Sequence, residues 1–445
     1  MPEVASPPAS TLTPAKTFRQ RSDTFTSIWM IIAVAMAIVT LVVKSRMPQP
    51  LWTMIHLVTL GVLSNGIFQW SWFFARSLAR LSADDPRARR HNTIRILIFN
   101  AFFAALFVSM WMGWMVGTMI AATGIAAVAA WHGAEMLSVL RERLASRFVI
   151  VVRYYVCSAS FFVLAALLAS FVTATMFSPS IPEALVAMRD RLTLAHALSG
   201  VAGWVGLAIG GTAITLGPTI LRTRMSPDAV SSGVRVLLPW CLSLLLAIAG
   251  ALLGVMPLVG AGILTLGTCA IVGIVYPYAK VLRNKGPREY SAWSFLLGLL
   301  WISVGACALG VASLFVSTPS QLRALTLMWL PIIGIAGFAQ LFQGALSYLM
   351  PVVIGGGPSI VRIGIAIIDW QFPLRLGLRN SALILELFLF FAGDSHFVHV
   401  LRMAGWLLVI STFVIDVVIY AKTGVIQARA RRARSETLSE SRKAQ

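Results

Sequence analysis

The chain has 445 residues, of which 58% are hydrophobic and only 12% are charged, and its mean hydropathy is +0.83. Because soluble proteins carry about twice that share of charged residues, the composition excludes a soluble globular protein. The formal net charge of +20 would suggest nucleic-acid binding in a soluble chain. In a membrane protein, however, basic residues collect in cytoplasmic loops, so we expect a lipid bilayer and no nucleic acid as partner.

Apolar runs recur along the chain from residue 27 to residue 420. A helix needs about 20 residues to cross a bilayer, and runs of that length predict about twelve spans. They cover residues 26–43, 51–75, 94–114, 116–137, 148–175, 193–221, 237–256, 258–279, 292–316, 325–353, 376–392 and 397–420. We therefore expect an all-α integral membrane protein.

The two ends of the chain differ from the apolar middle. Residues 1–23 are basic and rich in Pro, Ser and Thr, which predicts a disordered cytoplasmic N-terminus. Residues 24–422 form the predicted twelve-helix membrane domain. Residues 423–445 are predicted to be a basic cytoplasmic tail, disordered from residue 429 onward.

Basic residues alternate between loops, which predicts the orientation. Arginine-rich loops follow the second, fourth, sixth, eighth and tenth runs, whereas the loop at 393–396 carries only Asp394. By the positive-inside rule both termini are cytoplasmic and the number of spans is even, in a protein of the cell membrane. Arg95, Arg375 and Arg379 count among these loop charges. The segment 355–373 predicts a helix in the cytoplasmic interface, anchored by Trp370.

The second, sixth and tenth runs resemble one another. His56 lies in the second run and His196 in the sixth. The sixth and tenth runs share spaced small residues and a proline, namely Gly203, Gly210 and Pro218 against Gly337, Gly344 and Pro351. These matches predict three repeats of four helices with a period of about 140 residues. The alternative is that glycine is simply frequent in membrane helices.

A family resemblance is carried by three phrases: HLVTLGVLSNGIFQWSWFFA, AHALSGVAGWVGLAIGGTAITLGPTILRTRM and GFAQLFQGALSYLMPVV. With three groups of four helices and a histidine near the outer end of the second helix, the chain resembles subunit I of the heme-copper oxidases. The phrases look like the oxidase-like membrane proteins of the NnrS kind. They also look like the membrane half of actinobacterial multicopper oxidase and nitrite reductase fusions, whose soluble copper domains are absent from this sequence. The resemblance covers all twelve runs.

The resemblance implies metal-binding roles for two histidines. In the oxidase family a histidine on the second helix is an axial heme ligand and one on the sixth binds copper, and His56 and His196 stand on those helices. Both lie within ~10 Å of the outer surface at 1.5 Å per residue. Ionisable residues inside a membrane are functional candidates, and imidazole binds heme iron and copper. The alternative is a histidine bonded to a backbone carbonyl or to water.

Several ligands of the family pattern are missing. The tenth run has no histidine, and Met328 is the soft side chain nearest its outer end. The seventh run lacks the paired histidines of the copper site, and Leu198 stands where related proteins carry a second histidine. We therefore expect no dioxygen-reducing centre and at most one heme or one metal ion.

The sequence has four other histidines, two of which are further candidates for metal ligands. His396 and His399 lie at an outer hairpin with i, i+3 spacing, which puts both on one helical face and allows them to replace missing ligands. The alternative is a solvent-exposed loop. His132 and His91 fall at the cytoplasmic side, where we expect interfacial positions.

Two charges flank the same outer hairpin. Glu386 precedes it and Arg402 follows it by similar distances, so the two reach the same depth in an antiparallel pair. An unpaired charge at that depth costs several kcal/mol, which predicts an ion pair. The alternative is that Arg402 extends outward to the interface.

Three functions remain open at this point. The first is a single heme or copper at the outer face, bound by His56 and His196 and used in nitric oxide or copper handling. Its partner would be a periplasmic or extracellular copper protein or another membrane subunit. The second is a secondary transporter, since twelve helices with internal repeats also describe many carriers. The third is a membrane scaffold without any cofactor, which the missing ligands favour equally.

Overall fold

The computed structural model describes residues 19–43, 47–82, 84–144, 146, 148–177, 182–283, 286–393 and 395–443. Regular structure within these ranges is helical, with no strand. The predicted disorder of residues 1–18 lies outside the described residues. Residues 19–23, which were included in the same prediction, begin the first helix.

Twelve helices occupy the positions of the twelve predicted spans, and we number them in chain order. They are α1 (Arg19–Val43), α2 (Pro50–Leu78), α3 (Arg87–Trp111), α4 (Met115–Glu142), α5 (Val149–Phe177), α6 (Arg189–Ile220), α7 (Pro227–Leu253), α8 (Met256–Leu282), α9 (Tyr290–Ser313), α10 (Pro319–Ile354), α11 (Phe372–Leu389) and α12 (His396–Lys443). Two connecting helices, Glu183–Ala187 and Pro358–Ile368, precede α6 and α11.

Ten helices in the described part of the chain are long and apolar enough to cross a membrane. The chain is therefore a multi-pass membrane protein. The other two are α1, whose apolar stretch is Phe25–Thr40, and α11, which carries three buried charged residues. A total of twelve spans stays a prediction.

Apolar side chains cover the outside of the helices as well as the inside. On α7, Leu238, Leu242 and Leu245 are 65%, 55% and 48% exposed. A water-soluble protein rarely exposes such a continuous apolar stripe. These side chains are placed to meet lipid, which agrees with the composition.

The helices form two compact units, residues 1–209 and 210–445, with the boundary inside α6. In the first unit α1 packs on α2, α3 on α4, α4 on α5, and α5 on α6. In the second unit α7 packs on α8, α8 on α9, α9 on α10, and α11 on α12. Neighbours in sequence are thus neighbours in space, as expected for helices joined by short loops.

Three of the long helices widen into π-helix near the middle. These segments are Leu57–Ser64 in α2, Leu198–Gly206 in α6 and Ile333–Ala339 in α10. Shorter π segments occur in α3 and α8. A π segment inside an α-helix is uncommon and often accompanies a functional site. The first begins directly after His56, and the second begins two residues after His196.

The predicted disorder of the basic tail is wrong for the described residues, because α12 continues to Lys443. Three tail side chains bind carbonyls at the end of α10. Gln427 Nε2 donates to Pro351 O at 2.7 Å, Arg431 to Ile354 O at 2.7 Å, and Arg434 to Gly356 O at 2.9 Å. The last carbonyls of a helix have no partner within it, so those of α10 are available to bind the tail. The composition of the tail gives no sign of these contacts.

Candidate functional site

His56 ends the first α-helical part of α2, just before the π segment. Its Nδ1 lies 2.8 Å from the carbonyl oxygen of Trp52, one turn earlier. The Trp52 indole stacks on the imidazole, with ring centroids 4.4 Å apart and planes 22° apart. Trp52 therefore fixes the His56 ring through both its backbone and its side chain.

His196 lies two residues before the π segment of α6. Its Nδ1 is 2.8 Å from the carbonyl oxygen of Ala165 on α5. This contact joins two helices, so the position of the His196 ring depends on how α5 packs against α6.

The two imidazoles are close neighbours in the first unit. Their ring centroids are 6.1 Å apart and their planes differ by 16°, and both rings are half-buried. A carbonyl oxygen only accepts hydrogen bonds, so in each neutral ring Nδ1 carries the proton and Nε2 keeps its lone pair. Metal-binding histidines commonly have this arrangement, with one nitrogen held by a carbonyl and the other available as ligand.

A third protein ligand is not found beside the pair. No three His, Cys, Asp or Glu side chains in the described ranges are grouped closely enough to hold a metal ion. His396 and His399 are exposed at the start of α12 in the second unit. Their predicted participation stays a prediction.

His132 and His91 have different surroundings. His132 is completely buried, with Nε2 3.3 Å from Ser71 Oγ and its ring edge-on to Phe68 and Trp204. It is thus a core residue of the first unit and not an interfacial one. His91 is partly exposed and its Nδ1 is 2.7 Å from Glu135 Oε1.

An arginine predicted in a loop is buried in the first unit. Arg95, on α3, is 0% exposed and pairs with Glu135 of α4. Its guanidinium also lies over the rings of Trp72 and Trp131, at 5.1 and 5.4 Å from their centroids. Arg95 therefore belongs to the helix packing and carries little of the loop charge that fixes orientation.

Two further arginines assigned to a loop are buried in the second unit. Arg375 and Arg379, on α11, both pair with Asp416 of α12, and all three are less than 5% exposed. Tyr290 OH donates to Asp416 Oδ2 at 2.7 Å, and Arg379 donates to Gln343 Oε1 at 2.8 Å. The residues form a charged cluster in which two guanidiniums share one carboxylate.

Buried amides form matching contacts in both units. In the first, Asn100 Nδ2 donates to Asn65 Oδ1 at 2.7 Å and Trp29 Nε1 donates to Asn100 Oδ1 at 2.5 Å. In the second, Asn380 Nδ2 donates to Gln340 Oε1 at 3.0 Å and Trp301 Nε1 donates to Asn380 Oδ1 at 2.9 Å. Asn65 and Gln340 each follow a π segment directly. Amides inside apolar runs were the sequence signal that could have revealed these triads.

The expected ion pair between Glu386 and Arg402 is not formed between these described residues. Arg402 donates to the carbonyl of Leu389 at 2.9 Å. Oε1 of Glu386 is buried without a hydrogen-bond partner, facing Gly405 of α12. The hairpin does bring the two side chains near each other, but the last carbonyls of α11, which have no partner within the helix, compete for the guanidinium.

No protein-family model, curated protein or solved structure matches this chain. The resemblance to the oxidase-like family therefore stays a prediction, and the function must be argued from the geometry.

Proposed function

We propose that this membrane protein binds one heme or one copper ion through His56 and His196. The observation that carries the proposal is the pair itself: two imidazoles 6.1 Å apart, each held at Nδ1 by a carbonyl. Metal–nitrogen bonds are about 2 Å long, so one ion would be held by the Nε2 atoms of both histidines. Bound copper or heme iron would supply electron transfer or binding of a small gas such as nitric oxide.

The residues around the pair support a defined ligand geometry. Trp52 restrains His56, and Ala165 restrains His196 from the neighbouring helix. Each anchor sets the tautomer of the neutral ring, so that Nε2 keeps its lone pair. Since no third donor joins the two imidazoles within the described residues, the proposal does not include dioxygen reduction at a binuclear centre.

We further propose that the membrane domain consists of three four-helix repeats, as in the oxidase-like architecture. The amide triads support a correspondence between α1–α3 and α9–α11. The pairs Arg95–Glu135 and Arg375–Asp416 support the same correspondence for α3–α4 and α11–α12. In the middle repeat the support is the π segment of α6 and the Ser158 Oγ contact to Trp204 O at 2.6 Å, which matches that of Ser294 to Gln340 O at 2.7 Å.

The test is an oxidised-minus-reduced optical spectrum with metal analysis on the full chain, produced with heme and copper supplied. We expect about one heme or one copper per chain in the wild type, with His56→Ala and His196→Ala each losing most of it. His91→Gln, on the cytoplasmic side, is the control and keeps the metal. A metal-free wild type would overturn the proposal.

A secondary transporter is the second candidate, and the charged cluster of Arg375, Arg379 and Asp416 favours it. Buried charges in membrane helices often mark a path for ions or substrates. This candidate predicts solute flux in vesicles that Asp416→Asn abolishes. Absence of both metal and flux, with stable capture of another membrane subunit, would favour the scaffold without a cofactor.

A further inference from the structure

Glu386 has an unusual environment for a carboxylate. The residue is 4% exposed, and its Oε1 is the buried carboxylate oxygen that lacks a donor among the described residues. A Cβ at position 405 would overlap this oxygen. Glycine at 405 thus leaves the space on α12 into which the Glu386 side chain fits.

Arg402 is the charged group that acts on Glu386. It lies one turn before Gly405 on the same face of α12, but its guanidinium is engaged with Leu389 O. Helices α9, α10 and α12 pack against α11. Among the ionisable groups on these helices, Tyr290, Arg375, Arg379 and Asp416 are bonded to one another, and Arg323 has a partner of its own. His396 and His399 precede Arg402 on α12 and are exposed, whereas Tyr420, Lys422 and the charged tail follow Asp416 toward the other end of that helix.

An ionised carboxylate is expensive in this position. A buried charge without a donor costs several kcal/mol, whereas the neutral acid costs far less. Had Glu386 been ionised, the nearby guanidinium would gain more from the carboxylate than from a neutral carbonyl, since charge-assisted hydrogen bonds are about twice as strong. The engagement of Arg402 with Leu389 is the arrangement expected beside an uncharged Glu386.

We propose that Glu386 is a proton-binding site and that Arg402 exchanges between two partners with its protonation. When Glu386 holds a proton, Arg402 caps the end of α11 at Leu389. When the proton leaves to solvent, the guanidinium moves to the carboxylate and water replaces it at Leu389. Leu389 lies one turn after Glu386, so the guanidinium moves ~5 Å, within the reach of an arginine side chain without backbone movement.

The test is pH-dependent infrared difference spectroscopy of the full chain in lipid nanodiscs. A protonated carboxyl group has a carbonyl stretching band that ionised carboxylates lack. Burial raises the pKa of Asp369 to about 6, so that carboxyl also contributes to the band in mild acid. We expect the wild type to keep a band above that pH, where Asp369 and the exposed carboxyls are ionised, and to lose it as the pH rises further. Glu386→Gln should remove the band, and the exposed Glu183→Gln should keep it.

Arg402→Gln tests the exchange. Without the guanidinium, the ionised carboxylate has no partner, so the midpoint of the band's titration should move up by about one pH unit or more. An unchanged midpoint would exclude Arg402 as the alternate partner. Absence of the band in the wild type, which needs no variant, or its persistence in Glu386→Gln would overturn the proton site. Neither result depends on bound metal, so the proposal is separable from the role of His56 and His196.

Discussion

Trp29, Asn65 and Asn100 in the first unit make the same hydrogen bonds as Trp301, Gln340 and Asn380 in the second. The helices next to these triads carry different chemistry. The first unit has two imidazoles with free Nε2 atoms, and its buried arginine, Arg95, is the one arginine paired with Glu135. In the second unit two arginines, Arg375 and Arg379, share the buried carboxylate of Asp416. The two units thus share the hydrogen-bonded triad but differ in the charged and imidazole side chains near it.

The largest expected difference between the units is the loss of unfolding free energy when the carboxylate of the buried ion pair is neutralised. Asp416→Asn leaves two buried guanidiniums without a counter-charge, and we expect a loss of about 3–5 kcal/mol in the free energy of unfolding. Glu135→Gln leaves one, and that guanidinium keeps the faces of Trp72 and Trp131, so its loss should be smaller. Unfolding in mixed micelles measures both.

The double variant Asp416→Asn, Arg375→Gln is the matched control, because it restores one arginine per polar partner. It should recover part of the loss. Equal losses for Asp416→Asn and Glu135→Gln would break the distinction between the two units at this position.

The next expected difference concerns how closely the helices pack: α1 against α2 in the first unit, and α9 against α10 in the second. A Cβ on Gly298 of α9 would overlap the backbone of Leu341 on α10, whereas a Cβ on Gly61 of α2 meets the Trp29 side chain at 3.2 Å. A backbone cannot yield as a side chain can. We expect Gly298→Ala to cost about 1–3 kcal/mol and Gly61→Ala clearly less, both read from the same unfolding assay.

Gly66→Ala is the control for that comparison, since nothing lies within 4 Å of a Cβ at this position. It should leave the unfolding free energy unchanged or slightly raise it. If Gly61→Ala proved as costly as Gly298→Ala, the two units would be packed alike after all.

For the amide triads we expect the two units to lose similar amounts of stability when the central asparagine is replaced. Asn100→Leu and Asn380→Leu each leave a buried amide oxygen, of Asn65 or of Gln340, and a tryptophan N–H without a partner. Hydrogen bonds between membrane helices are worth about 0.6 kcal/mol on average and up to about 1.7 kcal/mol. We expect similar losses within that range for both variants in the unfolding assay, and a loss confined to one of them would argue against corresponding repeats.

Sequence reasoning located the helices well because apolar length is a local property. All twelve predicted runs coincide with helices, and the pairing of His56 with His196 agrees with their common depth. The errors share a cause. Arg95, Arg375 and Arg379 were assigned to loops because a run of apolar residues cannot show which arginines turn inward to a carboxylate on the next helix.

The tail and the outer hairpin are two more cases in which local sequence did not show a contact between distant residues. The composition of residues 429–443 is typical of disorder, yet Arg431 and Arg434 bind carbonyls about eighty residues earlier in the chain. For Glu386 and Arg402 the hairpin was expected to bring the two side chains together, but the competing carbonyl of Leu389 was not expected. Contacts between distant residues decide these cases, and no local pattern encodes them.

The smallest expected effects are opposite responses to pH in loops of the two units. In the first, hydrogen bonds from Arg87 hold the pKa of Asp85 below its usual value. The folded state therefore binds a proton less readily than the unfolded state, and the contribution is present above the unfolded pKa and lost as the pH falls through the folded one. In the second, burial raises the pKa of Asp369 from 3.8 to about 6.

For Asp369 the sign reverses. Between pH 3.8 and about 6 the folded state binds more protons than the unfolded state, so stability falls as the pH rises through that window. Asp369→Asn keeps an acceptor for the Tyr290 backbone N–H, which lies 2.8 Å from Oδ1, and removes the cost of ionisation. We expect its unfolding midpoint to exceed that of the wild type at neutral pH and the gap to shrink in acid, whereas Asp85→Asn should be the less stable protein at neutral pH and approach the wild type in acid. If both variants were more stable than the wild type at neutral pH, or both less stable, then either the Arg87 hydrogen bonds do not stabilise ionised Asp85 or burial does not destabilise ionised Asp369.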